Sequence, residues 1–228
     1  MKILSWNLHE DINCNDLLDV INALNLHEPE IIFLHQFVND RNGQIICNAM
    51  NELGWQYQFF TGADRQKGIM ILSTKDFTRN RCNYRSPSNS YGWLDILFQD
   101  FSANVMAINI SYKERYINPE EYWEFLIDYS KIKMVDECII LGSLSPIVKN
   151  DKSSYYSIKE MLKTGWIDLI QSHQEESEIN STYLNNICQR QDYAFASRIA
   201  KSSIRNVYVS QSEKKMGFNR QPVILELV

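Results

Sequence analysis

The side chains best suited to chemistry stand where predicted strands begin or end. Asn7 ends the first apolar run and is followed by His9 and Glu10, an imidazole and a carboxylate of the kinds that act as bases or substitute ligands. Asn219 and Arg220 directly precede the last apolar run. A guanidinium keeps its positive charge near neutral pH and cannot take a proton. The start of the chain therefore offers candidate bases, whereas Arg220 offers a fixed positive charge.

The four histidines are His9, His27, His35 and His173. His35 directly precedes Gln36 on a predicted strand, where neighbouring side chains point to opposite faces. We therefore expect His35 to be packed and hydrogen-bonded, with Gln36 on the other side of the sheet. His9 and Glu10 lie in a loop after a strand, which makes them the better candidates for substitute functional groups.

Short apolar runs separated by polar segments predict many buried strands. These runs are Lys2–Trp6, Glu30–Gln36, Trp55–Phe60, Gly68–Ser73, Gly92–Phe98, Asn104–Ile110, Cys138–Gly142, Tyr193–Ala196, Ser203–Val209 and Gln221–Leu227. Helical spacing of apolar residues marks a segment that begins at Asn15 or Asp16 and that Pro29 ends, and also Ile45–Leu53, Pro119–Met134 and Ile158–Lys163. We expect Ser143–Pro146 and Gln171–Ser181 to be loops. Two sheets packed face to face with helices outside bury such a chain most economically.

The composition is that of a soluble globular protein. A chain of 228 residues predicts a single domain over residues 1–228, and no apolar run suits a signal peptide or a membrane span. Five cysteines without a CxxC pair argue against a zinc cage and a disulfide framework. We therefore expect a cytoplasmic protein without contact to a membrane.

Charge is unevenly placed along the chain. The formal net charge is -5, yet the segment from Gln189 to Val228 carries seven basic and three acidic residues. This asymmetry is compatible with a basic face for a phosphate group or an acidic protein partner. The overall negative charge opposes non-specific attraction to nucleic acid.

Eight short motifs follow one another in a fixed order. They are Ile3–Asn7, Glu30–Gln36, Lys67–Ser73, Val105–Asn109, Ile139–Gly142, Gly165–Asp168, Arg190–Tyr193 and Pro222–Val223. Their succession resembles the strand motifs of the endonuclease/exonuclease/phosphatase superfamily, which includes exonuclease III, the apurinic/apyrimidinic endonucleases and deoxyribonuclease I. The resemblance implies an α/β fold, a four-layered sandwich of two mostly antiparallel sheets flanked by helices, and a magnesium-dependent phosphoester cleavage site.

The resemblance also marks a cleft in which most functional groups have changed. The matching positions are Asn7, Gln36, Ser111, Ser143, Ser145, Asp192, Asn219 and Arg220. Only Asn7 and Asp192 keep the family residue type. Gln36 replaces the metal-binding Glu by a neutral amide, and Arg220 stands in place of the catalytic His. We expect Asp192 and Arg220 to form a charge-assisted bridge where the family pairs Asp with His.

A cleft changed in this way predicts loss of the family reaction. Mg²⁺ is normally held through one or two carboxylates, and removal of one positioned acid or base costs roughly 10²–10⁴ in rate. We therefore expect no catalytic residue, no metal ligand and no cofactor.

Three functions stay open. The first is a non-catalytic binding protein, with a phosphate-bearing ligand or nucleic acid in the cleft or a protein partner on the basic C-terminal quarter. The second is a phosphodiesterase that uses Mg²⁺ or Mn²⁺ in a rewired site built on Asn7, Glu10 and Asp192, with Asp11 or Asp168 as a further group. The third is an interaction module whose cleft plays no part. Loss of turnover in Asp192→Ala would separate the second from the others.

Overall fold

The computed structural model describes residues 1–8, 17–63, 65–80, 86–98, 101–111, 118–144, 153–176 and 190–228. Within these ranges the apolar runs form two six-stranded sheets. In the first sheet the spatial order is β11 (Ile204–Val209), β12 (Val223–Leu227), β1 (Lys2–Asn7), β2 (Ile31–Val38), β4 (Lys67–Ser73) and β3 (Tyr57–Phe60). Only β1 and β2 pair in parallel there.

The second sheet repeats this plan. Its order is β5 (Phe77–Arg79), β6 (Trp93–Phe98), β7 (Phe101–Ile110), β8 (Cys138–Leu144), β10 (Asp192–Ala196) and β9 (Ile167–Asp168). The pair β7 and β8 is parallel, and the other pairs are antiparallel. Both sheets are therefore mostly antiparallel, as the sequence predicts.

Successive side chains along each strand point to opposite faces of the sheet, so each sheet packs on both of its faces. Ile3 and Phe33 of the first sheet pack against Val105 and Leu141 of the second in a core between the sheets. The outer face of the first sheet packs on α1 (Leu17–Asn25) and α2 (Arg41–Glu52), and that of the second on α3 (Pro119–Lys133) and α4 (Ser153–Lys163). The result is the predicted four-layered α/β sandwich.

Two short helices complete the described chain. They are α5 (Leu169–Glu176) and the single turn α6 (Ser212–Lys215), together with a 3-10 turn at Ala200–Ser203. None of the helices in the described ranges is long and apolar enough to cross a membrane.

Several sequence-based boundaries are wrong. Helix α4 begins at Ser153 and not at Ile158. Helix α2 begins at Arg41 because the Asp40 side chain accepts a hydrogen bond from the Gly43 amide at 3.0 Å, a polar cap that apolar periodicity does not show. Ser143 lies in β8 and not in a loop, since β8 extends to Leu144. Residues 171–176 belong to α5, and Asp168 caps this helix by accepting from the Gln171 amide at 3.2 Å.

Candidate functional site

The matching positions gather where β1, β2, β7 and β8 end. Asn7 lies opposite His35, and Ser143 lies opposite Asn109 on one side and Asp192 on the other. The Asn7 Nδ2 donates to Ser143 Oγ at 2.7 Å across the two sheets. We call the set Asn7, Gln36, Asn109, Ser111, Ser143, Asp192 and Arg220 the strand-end cluster.

A chain of polar contacts runs from the first sheet to Asp192. Asn7 donates to Ser143, and the Ser143 hydroxyl donates in turn to the Asp192 carboxylate. Burial raises the pKa of Asp192 to about 6, against the opposing effects of Arg220, Ser143 and Arg190. Asp192 therefore titrates close to neutral pH.

Arg220 approaches Asp192 without a direct hydrogen bond. Its Nη1 lies 4.0 Å from Asp192 Oδ2, longer than a hydrogen bond allows. Its Nη2 donates to Gln191 Oε1 instead. The Arg220 carbonyl accepts from Trp6 Nε1 at 3.0 Å. The predicted bridge is thus an ion pair, and the main chain of Arg220 is fixed to β1.

A second Asp–Arg pair borders the cluster. Arg190 Nη2 binds Asp168 Oδ2, and the Asp168 side chain is 4% exposed. The guanidinium of Arg190 also lies over the Tyr193 ring, 4.2 Å from its centroid. Sequence reasoning missed Arg190 as a site residue, although it stands two positions before Asp192.

Gln36 departs from regular strand geometry. Its φ is +57°, and the pairing register of β2 with β4 shifts between His35 and Phe37. The amide then reaches the second sheet, with Nε2 3.5 Å from Asn109 Oδ1. Gln36 is 5% exposed, and its Oε1 has no hydrogen-bond partner among the described residues. Asn109 is a second residue that sequence reasoning missed.

The shift in register also overturns the expectation for His35. Its Nε2 lies 2.9 Å from Ser5 Oγ, on the face that packs against the second sheet, so His35 and Gln36 share a side. His35 is buried, as expected, but its Nδ1 lacks a partner among the described residues. Burial lowers the pKa of His35 to about 3, which keeps the ring neutral.

Two of the remaining sequence candidates lie in the described chain. Ser111 is buried directly after β7, and Asn219 is exposed before β12. Ser145, His9, Glu10 and Asp11 lie outside the described residues.

The basic residues of the C-terminal quarter do not share one face. Arg220 belongs to the strand-end cluster and Arg190 adjoins it. Arg198 and Lys201 follow Ser197, whose amide donates to Cys138 at the start of β8, so they lie at the opposite end of the sandwich. The net charge of the quarter is therefore divided between two ends.

Comparison with solved structures identifies the fold. The 3' phosphatase NExo from Neisseria, bound to product DNA hairpin, matches with a TM-score of 0.71 and 16% identity over 100% of this chain and 99% of that chain. An AP endonuclease from Archaeoglobus fulgidus matches with a TM-score of 0.71 and 13% identity at the same coverage. The 3'-5' exonuclease NExo from Neisseria meningitidis gives 0.70 and 16%, again over 100% and 99%.

These matches, at 13–16% identity, show that the chain has the deoxyribonuclease I-like fold. At the level of sequence, no protein-family model and no curated protein matches it. The deoxyribonuclease I-like sandwich predicted from the motif order is thus confirmed by structure alone.

The donors of the strand-end cluster fit poorly to the divalent cation that this fold implies. Mg²⁺ takes oxygen ligands and is usually held through one or two carboxylates, whereas Gln36 and Asn109 supply neutral amides. Asp192 is the carboxylate of the cluster, and an arginine faces it. Across the described residues no group of three or more His, Cys, Asp or Glu side chains could hold a metal ion.

Proposed function

We propose that the protein is a catalytically inactive member of this fold that binds a phosphate-bearing ligand, in the first instance a nucleic acid strand. The pairing of its carboxylates carries this proposal. Asp192 faces Arg220 and Asp168 binds Arg190, so both of these carboxylates have a fixed positive charge beside them. Neither is placed to hold a cation or to take a proton from water without first leaving its arginine.

The burial of the cluster supports the same conclusion. Asn7, Gln36, Ser111 and Ser143 are each no more than 5% exposed. Buried polar groups bonded to one another stabilise a fold, whereas catalytic groups must reach the substrate. We therefore assign Asn7 and Ser143 a structural role in joining the two sheets.

A nucleic acid is the first ligand to test because one similar structure is a phosphatase bound to a product DNA hairpin. The net charge of -5 opposes sequence-independent attraction to phosphates. Binding should therefore depend on a few local arginines and not on the charge of the whole surface.

We further propose that binding needs no divalent cation or other cofactor and takes place in the cytoplasm. Cys47 and Cys138 are free and buried. Burial raises the pKa of the Cys47 thiol to about 12 and that of Cys138 also to about 12, which suits unreactive thiols in a reducing compartment.

The test combines turnover with binding. Plasmid nicking and hydrolysis of a generic phosphodiester are measured with Mg²⁺ and with Mn²⁺, beside binding of a labelled oligonucleotide in chelator. We expect no turnover above that of Asp192→Ala, and binding that chelator does not change. Turnover that Asp192→Ala abolishes, or a micromolar dissociation constant for Mn²⁺, would overturn the proposal.

One observation favours a second candidate, a metal-dependent phosphodiesterase with a rewired site. The pKa of Asp192, about 6, lies in the range that suits a general base near neutral pH. This candidate predicts a pH–rate profile that rises through the pKa of Asp192 and disappears in Asp192→Asn.

A further inference from the structure

A polar cavity lies beside the strand-end cluster. It has a volume of about 510 Å³ and is lined by Asn39, Asp40, Arg41, Asn42, Gln44 and Arg65. This volume is within the range of small-molecule sites. The first lining residue, Asn39, directly follows β2. Arg65 lies two residues before β4, whose Lys67 pairs with Val38 at the end of β2. The cavity therefore opens at the same end of the sandwich as the cluster.

Two arginines, Arg41 and Arg65, line this cavity together with one carboxylate, that of Asp40. Arg41 and Arg65 are both exposed, and neither makes a hydrogen bond or ion pair with any other described residue. Arg190 and Arg220, in contrast, have Asp168 and Asp192 beside them. Like charges that line one cavity repel each other, and a bound anion relieves that repulsion.

Uncharged donors surround the two arginines. Asn39, Asn42 and Gln44 bring side-chain amides to the lining. Arg41 and Asn42 are also the first two residues of α2, whose backbone N–H groups have no acceptor within the helix. The Asp40 carboxylate, which also lines the cavity, accepts a hydrogen bond from the Gly43 amide. The lining is thus rich in donors and carries a net positive charge.

We propose that this cavity is the phosphate site of the protein and takes a phosphate group of a nucleotide or an oligonucleotide. The choice of ligand rests on the proposed function, whereas the place of the site rests on the two arginines. Guanidinium groups bind phosphate oxygens through paired N–H donors. A strand anchored here would extend toward Arg220, whose side chain is 34% exposed.

The first experiment measures binding of a short single-stranded oligodeoxynucleotide with a terminal phosphate, by fluorescence anisotropy over a salt series. The pocket variant is Arg41→Gln combined with Arg65→Asn. Asn tolerates the left-handed φ of +60° at position 65, so the variant should fold. Arg205→Gln, at an exposed position of β11, removes one positive charge elsewhere and is the control for a loss of charge away from the cavity.

We expect the pocket variant to bind at least about tenfold more weakly, because it loses two charge-assisted contacts. Its slope of log affinity against log salt should fall by about 0.7, the contribution of one phosphate on a single strand. Arg205→Gln should bind within about twofold of the wild type, less than one charge-assisted contact contributes. If the pocket variant binds like wild type while Arg220→Gln loses affinity, the phosphate lies in the cluster and the proposal is wrong.

A second experiment separates the site from the proposed function. If the wild type fails to bind the oligonucleotide, the nucleic acid ligand is wrong, and inorganic phosphate then serves as the probe in amide NMR spectra. The site predicts phosphate-dependent shifts at Arg41, Asn42 and Arg65 that disappear in the pocket variant. Absence of those shifts in the wild type would overturn the site itself.

Discussion

Replacement of Asp192 by Asn should stabilise the protein near neutral pH. The unfolded carboxyl loses its proton around the model-compound pKa of 3.8, whereas burial holds the folded pKa at about 6. Between these values the folded state binds more protons than the unfolded state, so stability falls as pH rises through this window and is constant above it. A difference of about two pKa units corresponds to about 3 kcal/mol.

This figure is an upper limit for the effect of Asp192→Asn. The Asp192 side chain is 23% exposed and lies 4.0 Å from Arg220 Nη1, and the amide loses that attraction, which contributes up to about 1 kcal/mol for a partly exposed pair. We therefore expect a net gain of about 1–2 kcal/mol near neutral pH. The gain should disappear near pH 4, where both side chains are neutral.

Urea unfolding of wild type and Asp192→Asn near pH 4 and near pH 7.5 measures the effect, since other titrating groups cancel in the difference. A loss of stability in Asp192→Asn near neutral pH would refute the reasoning. It would show that attraction by Arg220 and the hydrogen bond from Ser143 outweigh burial of the charge. The carboxylate would then be a stabilising ion in the folded site.

Two further predictions concern buried carboxyl groups away from the cluster. Asp95 is 2% exposed, and burial raises its pKa to about 6 against hydrogen bonds from Tyr129 and Asn80. Asp95→Asn should therefore raise the melting temperature near neutral pH and make the melting temperature less dependent on pH between about pH 4 and pH 6. A lower melting temperature in the variant would contradict this. Glu213 is fully buried, and its Oε1 lies 2.7 Å from His27 Nε2. Glu213→Ala should cost about 1–3 kcal/mol in urea unfolding, because it removes this hydrogen bond and leaves its partner unsatisfied, and a cost below about 0.5 kcal/mol would show that the pair contributes little.

The order of the elements could be predicted from the sequence because it depends on local patterns. Apolar runs such as Ile31–Val38 and Cys138–Leu144 are buried on both faces, and this burial makes them recognisable without knowledge of their neighbours. Their succession was sufficient to predict the sandwich. It also placed Asn7, Gln36 and Asp192 at strand ends.

Helix boundaries that depend on polar side chains were harder to predict from the sequence. The start of α2 depends on the cap by Asp40 and that of α5 on the cap by Asp168. The three residues of β5, Phe77–Arg79, contain too few positions to show a period. Each of these features arises from one or two contacts and leaves no pattern over a longer window.

The residue types of the strand-end cluster, and with them the prediction of a changed site, come from the sequence by itself. The sequence shows an amide at position 36, a carboxylate at 192 and a guanidinium at 220. It also shows that residue 220 cannot serve as a base near neutral pH.

Only the tertiary structure decided how these groups meet. The contact of Asn7 with Ser143 joins residues 136 positions apart, and the left-handed φ at Gln36 turns its amide toward Asn109. The pKa of Asp192 depends on burial and on two arginines from different segments. The cavity of Arg41 and Arg65 likewise forms only when the end of β2 meets the turn before β4. Such properties depend on distances between remote segments, which packing of the two sheets fixes and no local pattern records.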